Sequence, residues 1–218
     1  MKNSKFIRFA GLVGIIGFIF GFFAIFASTL LCGPGCGNPI PPPFDETNSW
    51  ADDGSFCWKS NALSDLGVSR VDNIYNFSLI IFGILDLIFI IGFVRAYAKS
   101  VLFYLGGILL ILASVSTSLV GVFTEAYATP HMILAVVVFV LEPIGLMLVG
   151  LAFRRMNMKI KGHLSTLVGI VSLLVTATSM LIPWYTWLDL GAAVPEIVAL
   201  FAPSVWTVWI GISLIRSG

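Results

Sequence analysis

The chain has 218 residues, of which 58% are hydrophobic and 11% are charged, and its mean hydropathy is +1.01. A soluble domain carries roughly 25% charged residues, so these charges are too few to cover a water-facing surface. A net charge of +1 without a basic stripe excludes a nucleic-acid-binding protein. Three cysteines are too few for a disulfide-rich scaffold, and the hydrophobicity excludes a disordered chain. The composition therefore predicts a polytopic membrane protein.

Six long apolar segments follow one another along the chain. A helix needs about 20 apolar residues to cross the hydrocarbon core, and each segment is close to or above this length. The apolar character is continuous within each segment, whereas barrel strands alternate over about 10 residues. We therefore predict an all-α fold, a single membrane domain (residues 1–218) built as a six-transmembrane-helix bundle. The predicted helices lie roughly at residues 9–31, 73–94, 100–124, 130–153, 164–187 and 197–215.

Basic and acidic residues fall on opposite sides of these predicted helices. If the six spans alternate in direction, ten of the 12 Lys and Arg residues lie on the side of both termini, and nine of the 11 acidic residues lie on the other side. Basic connections remain preferentially in the cytoplasm. The pattern predicts a multi-pass protein of the cell membrane with both its N-terminus and its C-terminus in the cytoplasm.

The longest predicted outer connection, residues 32–72, contains all three cysteines. It begins with Cys-Gly-Pro-Gly-Cys and continues with Asn-Pro-Ile-Pro-Pro-Pro, and this density of Gly and Pro predicts an ordered turn or an extended arm. A disulfide from Cys57 to Cys32 or Cys36 is expected in an oxidising exterior. A zinc site is disfavoured because the loop offers no histidine.

Four short motifs in order along the chain resemble a known membrane family. They are Asn61-Ala-Leu-Ser-Asp-Leu-Gly67 with Asn73-Ile-Tyr-Asn-Phe, Gly121-Val-Phe-Thr-Glu125, Pro130-His131, and Pro195-Glu196-Ile197. Together they resemble the family called domain of unknown function 998, which is similar to the group named for FGF-receptor-activating protein and the autophagy modulator. The resemblance extends from the first helix to the last. It implies a six-helix bundle in prokaryotic membranes with no established activity.

The motifs place polar side chains at the predicted outer ends of helices, namely Ser64, Asp65, Glu125, His131 and Glu196. In a compact bundle these ends converge. A serine, a histidine and carboxylates can serve as nucleophile, base and orienting acid toward a lipid ester or phosphoester. His131 with the three acids can alternatively hold a divalent metal ion. The simpler alternative is that the residues cap helix ends, with His131 hydrogen-bonded to Glu125.

Two acids, Asp86 and Glu142, lie within predicted spans. A carboxylate at mid-bilayer costs about 2.5–3.5 kcal/mol on insertion scales, so such residues predict a proton site, a cation site or a polar pocket. Pro143 directly after Glu142 is expected to loosen the helix there. The alternative is that each acid is protonated and bonds a hydroxyl of the third helix. The candidate partners are Ser114, Ser116, Thr117 and Ser118.

These residues favour a structural or accessory membrane protein that binds lipid or a partner chain through a polar site on its outer face. The alternative is an interfacial lipid hydrolase or a metal-dependent enzyme acting at that face. A proton- or cation-coupled transporter is less favoured because the chain shows no internal repeat. We expect membrane lipids and other membrane protein subunits as partners, no nucleic acid and no cofactor. Whether the protein is an enzyme stays open at this stage.

Overall fold

The structure is a computed structural model, and it describes residues 2–37, 53–182 and 184–217. Within these ranges the secondary structure is helical, without strands. Two 3-10 helices, Ser64–Val68 and Glu125–Tyr127, and a π-helical turn, Val137–Leu141, interrupt the α-helices. The α-helices in the described ranges are α1 (Lys2–Leu31), α2 (Asp72–Tyr97), α3 (Val101–Val120), α4 (Thr129–Val136), α5 (Glu142–Arg155), α6 (Lys159–Leu181), α7 (Trp184–Trp187) and α8 (Ala193–Ser217).

Six helical stretches are long and apolar enough to cross a membrane. Five of them are α1, α2, α3, α6 and α8, and the sixth is Thr129–Arg155, which joins α4, the π-helical turn and α5. The predicted all-α bundle with six membrane-spanning helices is confirmed. The sides of the membrane on which the termini lie stay a prediction.

The helix bounds differ from the apolar segments at several ends. The first helix begins at Lys2 rather than near residue 9, because helical hydrogen bonds continue beyond the apolar part that hydropathy detects. The third helix ends at Val120, four residues before its predicted end. The segment predicted as one helix at 164–187 is divided into α6 and the short α7, and the sequence places Pro183 between them. Proline removes an N–H donor and restricts the residue before it, which explains this break.

The six spans form a closed ring in which each packs mainly against its two neighbours along the chain. The ring closes where α1 packs against α8. The backbones touch at that crossing, since a Cβ on Gly11 would lie 2.6 Å from the carbonyl oxygen of Gly211. The beginning of α1 therefore lies beside the end of α8, and both termini share one end of the bundle. We call it the terminus end, and we call the opposite end, which carries residues 53–71, the loop end.

The terminus end has an aromatic core. Its fully or nearly fully buried rings come from four spans and pack in edge-to-face and tilted contacts. These rings belong to Phe89, Phe93, Phe103, Phe153 and Trp206. Lys161 covers this core because its Nζ donates to the Tyr97 hydroxyl at 2.6 Å and lies over the same ring. Such packing stabilises the terminus end, and the larger cavities lie elsewhere.

The disulfide differs from the predicted pairing. Cys32 bonds Cys36, and Cys57 is the free cysteine. The chain reverses over Gly33-Pro34-Gly35, where the Cys36 N–H donates to the Gly33 carbonyl at 3.0 Å. This turn brings the two Cα atoms to 5.1 Å, within the normal disulfide range. The predicted pairing of Cys57 was therefore wrong. The Asn-Pro-Ile-Pro-Pro-Pro segment lies outside the described residues.

Candidate functional site

A cavity of about 480 Å³ lies at the loop end, between the loop and helices α4, α6, α7 and α8. Four of the five residues predicted to converge there line it: Ser64, Glu125, His131 and Glu196. The fifth, Asp65, is buried and contacts Glu125. The structure thus brings all five into one region, although they come from four separate parts of the chain.

Glu125 joins the two 3-10 helices. Its carboxyl group is hydrogen-bonded to the Ser64 hydroxyl and to the Asp65 carboxyl group. Two carboxyl groups form such a bond only when one of them carries a proton. Burial raises the pKa of Glu125 above the usual range of a glutamate, the Asp65 charge raises it further, and the bond from Ser64 opposes both. Glu125 therefore retains its proton at pH values where an isolated glutamate is ionised.

Asn61 orients this pair, and the sequence analysis did not single it out. Its side chain is fully buried, its Nδ2 donates to Asp65 Oδ2 at 2.6 Å, and its Oδ1 accepts from the Cys57 N–H at 2.8 Å. Its carbonyl oxygen accepts from the Ala193 N–H at 2.9 Å, at the first residue of α8. The available signal was its place as the first residue of the resemblance motif, four residues before Asp65.

Glu196 connects α8 with the loop. It lies in the first turn of α8, where the helix dipole favours an acid, and its Oε2 accepts from the Leu63 N–H at 2.7 Å. Asp65 has a comparable role within the loop, because its Oδ2 accepts from the Ala62 N–H at 3.1 Å. Both acids therefore bind backbone N–H groups, as the capping alternative predicts. Glu196 also lines the cavity, so its carboxyl group can contact a molecule bound there as well as the Leu63 N–H.

His131 has a defined orientation. Its Nδ1 lies 2.9 Å from the Phe123 carbonyl oxygen, which is the hydrogen bond found in place of the predicted one to Glu125. A carbonyl only accepts, so Nδ1 carries the proton and Nε2 of the neutral ring keeps its lone pair. Ala128, between Glu125 and His131, has a φ of 37°, which a residue with a Cβ rarely adopts. The turn that positions His131 is therefore strained.

Part of the cavity lining is apolar, and we call this part the apolar wall. It is formed by Met132 and Ala135 of α4, Phe139 of the π-helical turn and Met180 of α6. The turn has a local cause, since Pro143 lacks an N–H and its ring cannot pack against the carbonyl of residue 139 in a regular helix. This is the loosening expected beside Pro143. Thr176 also lines the cavity, and its buried Oγ1 has no hydrogen-bond partner among the described residues.

A smaller cavity of about 80 Å³ adjoins the first. It shares Ser64, His131, Ala135, Phe139 and Glu196 with the larger cavity. Its other lining residues are mostly apolar and belong mainly to α2, α3 and α8: Leu63, Tyr75, Leu79, Thr117, Val120, Val138 and Leu200. We call Ser64, Asp65, Glu125, His131 and Glu196 the polar cluster. This cluster thus lies where a wide cavity meets a narrow apolar one between the helices.

The hydrogen bonds define which chemistry this arrangement presents. Ser64 bonds Glu125, and His131 bonds a backbone carbonyl, so the described contacts do not include a serine–histidine pair. Within residues 2–37, 53–182 and 184–217, no group of three or more His, Cys, Asp or Glu side chains is arranged to hold a metal ion. What the site does present is a proton-sharing carboxyl pair and an imidazole with one free nitrogen.

The two intramembrane acids meet in a different place. Asp86 and Glu142 line a cavity of about 10 Å³ together with Ser204 and Thr207 of α8. Of the four predicted partners on the third helix, Ser114 reaches an acid, with its Oγ 2.5 Å from Asp86 Oδ2. Thr117 and Ser118 bond backbone carbonyls instead. The hydroxyl partner predicted for Asp86 is therefore present, whereas none of these bonds reaches Glu142.

The family model described as protein of unknown function (DUF998) matches residues 47–213, well over half of the chain. The chain belongs to this family. The resemblance carried by the motifs is thereby confirmed, and the DUF998 match includes every residue that lines the loop-end cavity. All of α1, including Gly14 and Gly17 of the intramembrane cavity, lies before the DUF998 match. No curated protein and no solved structure matches the chain.

Changing Glu125 to glutamine is expected to flatten the dependence of stability on pH. Because the folded state raises the pKa of Glu125, its contribution is complete below the unfolded value and is lost as pH rises through the folded value. Wild-type stability should therefore fall from pH about 5 upward, by at most about 1.4 kcal/mol per pH unit for one proton. The variant should lack this component, because an amide donates to Asp65 at every pH.

Thermal unfolding in detergent from pH about 5 to 9 measures this slope. The matched control is Asp189→Asn, which removes an exposed acid that pairs with Lys59 at the surface and should leave the slope unchanged. An unaltered slope in Glu125→Gln would show that the proton is held elsewhere.

Proposed function

We propose that this DUF998 protein binds a membrane amphiphile in the loop-end cavity. The observation that carries the proposal is that this cavity of about 480 Å³ is lined both by polar residues, which we call the polar wall, and by the apolar wall. Its volume is in the range of about 300–1,000 Å³ found for small-molecule sites. The polar wall would hold the headgroup and the apolar wall the upper part of an acyl chain. We propose further that the loop end faces the cell exterior, consistent with the distribution of basic residues.

The position of the apolar wall supports entry from the bilayer. Met132 and Met180 lie on two different membrane spans, and their exposed fractions are 60% and 58%. α4 packs mainly against α3, whereas α6 packs mainly against α5, so the two spans separate toward the loop end. The π-helical turn lies where this separation begins. Methionine side chains are flexible and adapt to irregular chains, as a lateral opening to lipid requires.

The charges of the polar wall favour a headgroup that carries an amine. Glu125 and Glu196 line the cavity, Asp65 lies directly behind Glu125, and no Lys or Arg is among the lining residues in the described part of the chain. An ammonium group would be stabilised by the carboxyl oxygens and by the negative charge that remains on the Glu125–Asp65 pair, whereas a headgroup with only negative charge would be repelled. We therefore expect phosphatidylethanolamine to bind more tightly than phosphatidylglycerol.

Filling the cavity tests this proposal. Ala135→Trp places a large ring in the space between α4 and α6, and should lower the affinity for phosphatidylethanolamine at least about tenfold, which corresponds to about 1.4 kcal/mol. Val136→Trp is the matched control, because Val136 is the next residue of α4, is exposed and does not line the cavity. The measurement is native mass spectrometry of delipidated protein titrated with each phospholipid in detergent.

The expected result is a phosphatidylethanolamine adduct for the wild type and Val136→Trp that Ala135→Trp loses. Equal adducts in all three proteins would contradict the proposal, because they would show that the lipid binds nonspecifically to the surface of the protein. A preference for phosphatidylglycerol would contradict the amine assignment.

Acid–base catalysis on the bound lipid is a second candidate, favoured by the free Nε2 of His131 beside a proton-sharing carboxyl pair. Such a protein would hydrolyse an ester of the lipid that it binds. The same titration mixtures distinguish the two functions, because hydrolysis would release lysolipid and fatty acid while binding alone leaves the lipid intact.

A further inference from the structure

A second polar site lies deep within the membrane spans, apart from the loop-end cavity. Asp86 is 14 residues from the start of α2 and 11 from its end, and Glu142 is 13 residues from either end of the span Thr129–Arg155. Both acids are therefore near the middle of their spans. They line the cavity of about 10 Å³ with Ser204 and Thr207 of α8, and none of these four residues lines the loop-end cavity.

The hydroxyl groups at this site lack protein partners. Ser204 and Thr207 are 6% and 9% exposed, and neither forms a side-chain hydrogen bond within the described part of the chain. The Glu142 carboxyl group likewise has no hydrogen bond there, whereas Asp86 accepts from Ser114. Polar groups buried from water are costly when they are unpaired, and inside a membrane no solvent is nearby to compensate them. Unpaired oxygens from two spans, together with the Asp86 carboxyl group of a third, surround one small space and indicate a bound particle that interacts with oxygen.

The size and charge of the space restrict that guest. A volume of about 10 Å³ holds one water-sized particle, which excludes organic molecules and hydrated ions. No basic residue lines the cavity in the described ranges, and two carboxyl groups do. Mg²⁺ retains several waters and does not fit. Ca²⁺ takes about 6–8 oxygen ligands, more than remain free here once Ser114 occupies one Asp86 oxygen.

We propose that this cavity binds a single dehydrated Na⁺ ion, held by oxygens of Asp86, Glu142, Ser204 and Thr207. One ionised carboxylate balances its charge. Gly14, Gly17 and Phe18 of α1 and Phe82 of α2 complete the wall of the cavity. Ion sites of membrane proteins commonly lie near the bilayer midplane, where side chains of several helices replace the water shell. The proposal is independent of the amphiphile site, because it rests on different residues.

Thermal unfolding of the purified protein in detergent tests this site. NaCl should raise the unfolding temperature by about 5 °C or more over choline chloride at equal ionic strength and pH, once Na⁺ is about a hundredfold above its dissociation constant. Asp86→Asn and Glu142→Gln should each abolish the difference. Binding of radioactive sodium, measured directly, should disappear in the same variants.

A milder pair of variants keeps the test decisive if an acid variant does not fold. Thr207→Val removes one proposed ligand oxygen without changing the shape of the side chain, and should weaken Na⁺ binding. The matched control is Thr178→Val, because Thr178 is an exposed residue of α6 whose hydroxyl bonds its own helix. It should bind Na⁺ as the wild type does.

Three results would overturn the proposal. One is equal unfolding temperature in Na⁺ and choline, which would mean that a water or shared protons occupy the cavity. Another is stabilisation by Ca²⁺ but not by Na⁺. The third is sodium binding that survives unchanged in Thr207→Val and Glu142→Gln.

Discussion

Replacing Asn61 with leucine is expected to cost about 2–5 kcal/mol of unfolding free energy, because it removes two hydrogen bonds made by a fully buried side chain, one of them to a buried carboxyl group. The Cys57 N–H loses its acceptor, and Asp65 Oδ2 loses a donor at 2.6 Å. Leucine has the same branch point at Cγ as asparagine and is larger, so no cavity forms. The effect should extend to the polar cluster, since Asp65 is also the hydrogen-bond partner of Glu125.

The unfolding temperature in detergent measures this effect, and a loss of about 5–15 °C is expected for a chain of this size. Asn73→Leu makes the same exchange at an exposed position near the start of α2 and should change the temperature little. Equal temperatures for the two variants would contradict the assignment of Asn61 as the residue that holds the loop end together.

Changing Gly83 to alanine should separate α2 from α3 and destabilise the protein by about 1–3 kcal/mol or more. A Cβ at this position would lie 2.3 Å from Ser118 Oγ, 2.6 Å from the Ser118 nitrogen and 2.7 Å from the Ser114 carbonyl oxygen. Two of these atoms belong to the backbone, so the clash is relieved only by moving a helix. It therefore outweighs the roughly 0.5–1 kcal/mol by which alanine is otherwise favoured within a helix.

Gly33→Ala is the matched control, because a Cβ there would meet nothing within 4 Å. Comparing the two variants by unfolding temperature isolates the close approach of α2 and α3 from the general effect of replacing glycine. Movement of α3 would also displace Ser114 from Asp86, so Gly83→Ala should weaken the response to Na⁺ as well. A Gly83→Ala protein as stable as Gly33→Ala would show that the two helices are not packed as closely as described.

Features that depend on a short stretch of sequence were predictable. The six spans follow from hydropathy, because transfer of a helix into a bilayer depends mainly on its own side chains. The turn beside Pro143 follows from one missing N–H. Convergence of Ser64, Glu125, His131 and Glu196 was also expected, because alternating spans bring the ends of several helices to one side of the bundle.

Pairing between specific atoms was not predictable in the same way. Cys57 was expected to form a disulfide, but the Gly-Pro-Gly turn gave Cys36 a nearer partner. The Leu63 N–H and Glu196 are 133 residues apart in sequence, and their bond exists because α8 begins beside the loop. The partners of Asn61 and His131 depend in the same manner on how the loop and the helix ends settle against each other.

Composition and hydropathy were therefore enough for the fold class and the number of spans, and the motifs at the predicted helix ends were enough for the residues that gather at the loop end. The division of the cavity into two walls, the proton-sharing carboxyl pair and the small site between Asp86 and Glu142 required the packed helices. The physical reason is that hydropathy is a property of each residue and can be summed over a short segment of sequence. Cavities and hydrogen bonds depend on distances between helices in the folded bundle, and these distances are set by where helix backbones touch, as at Gly83.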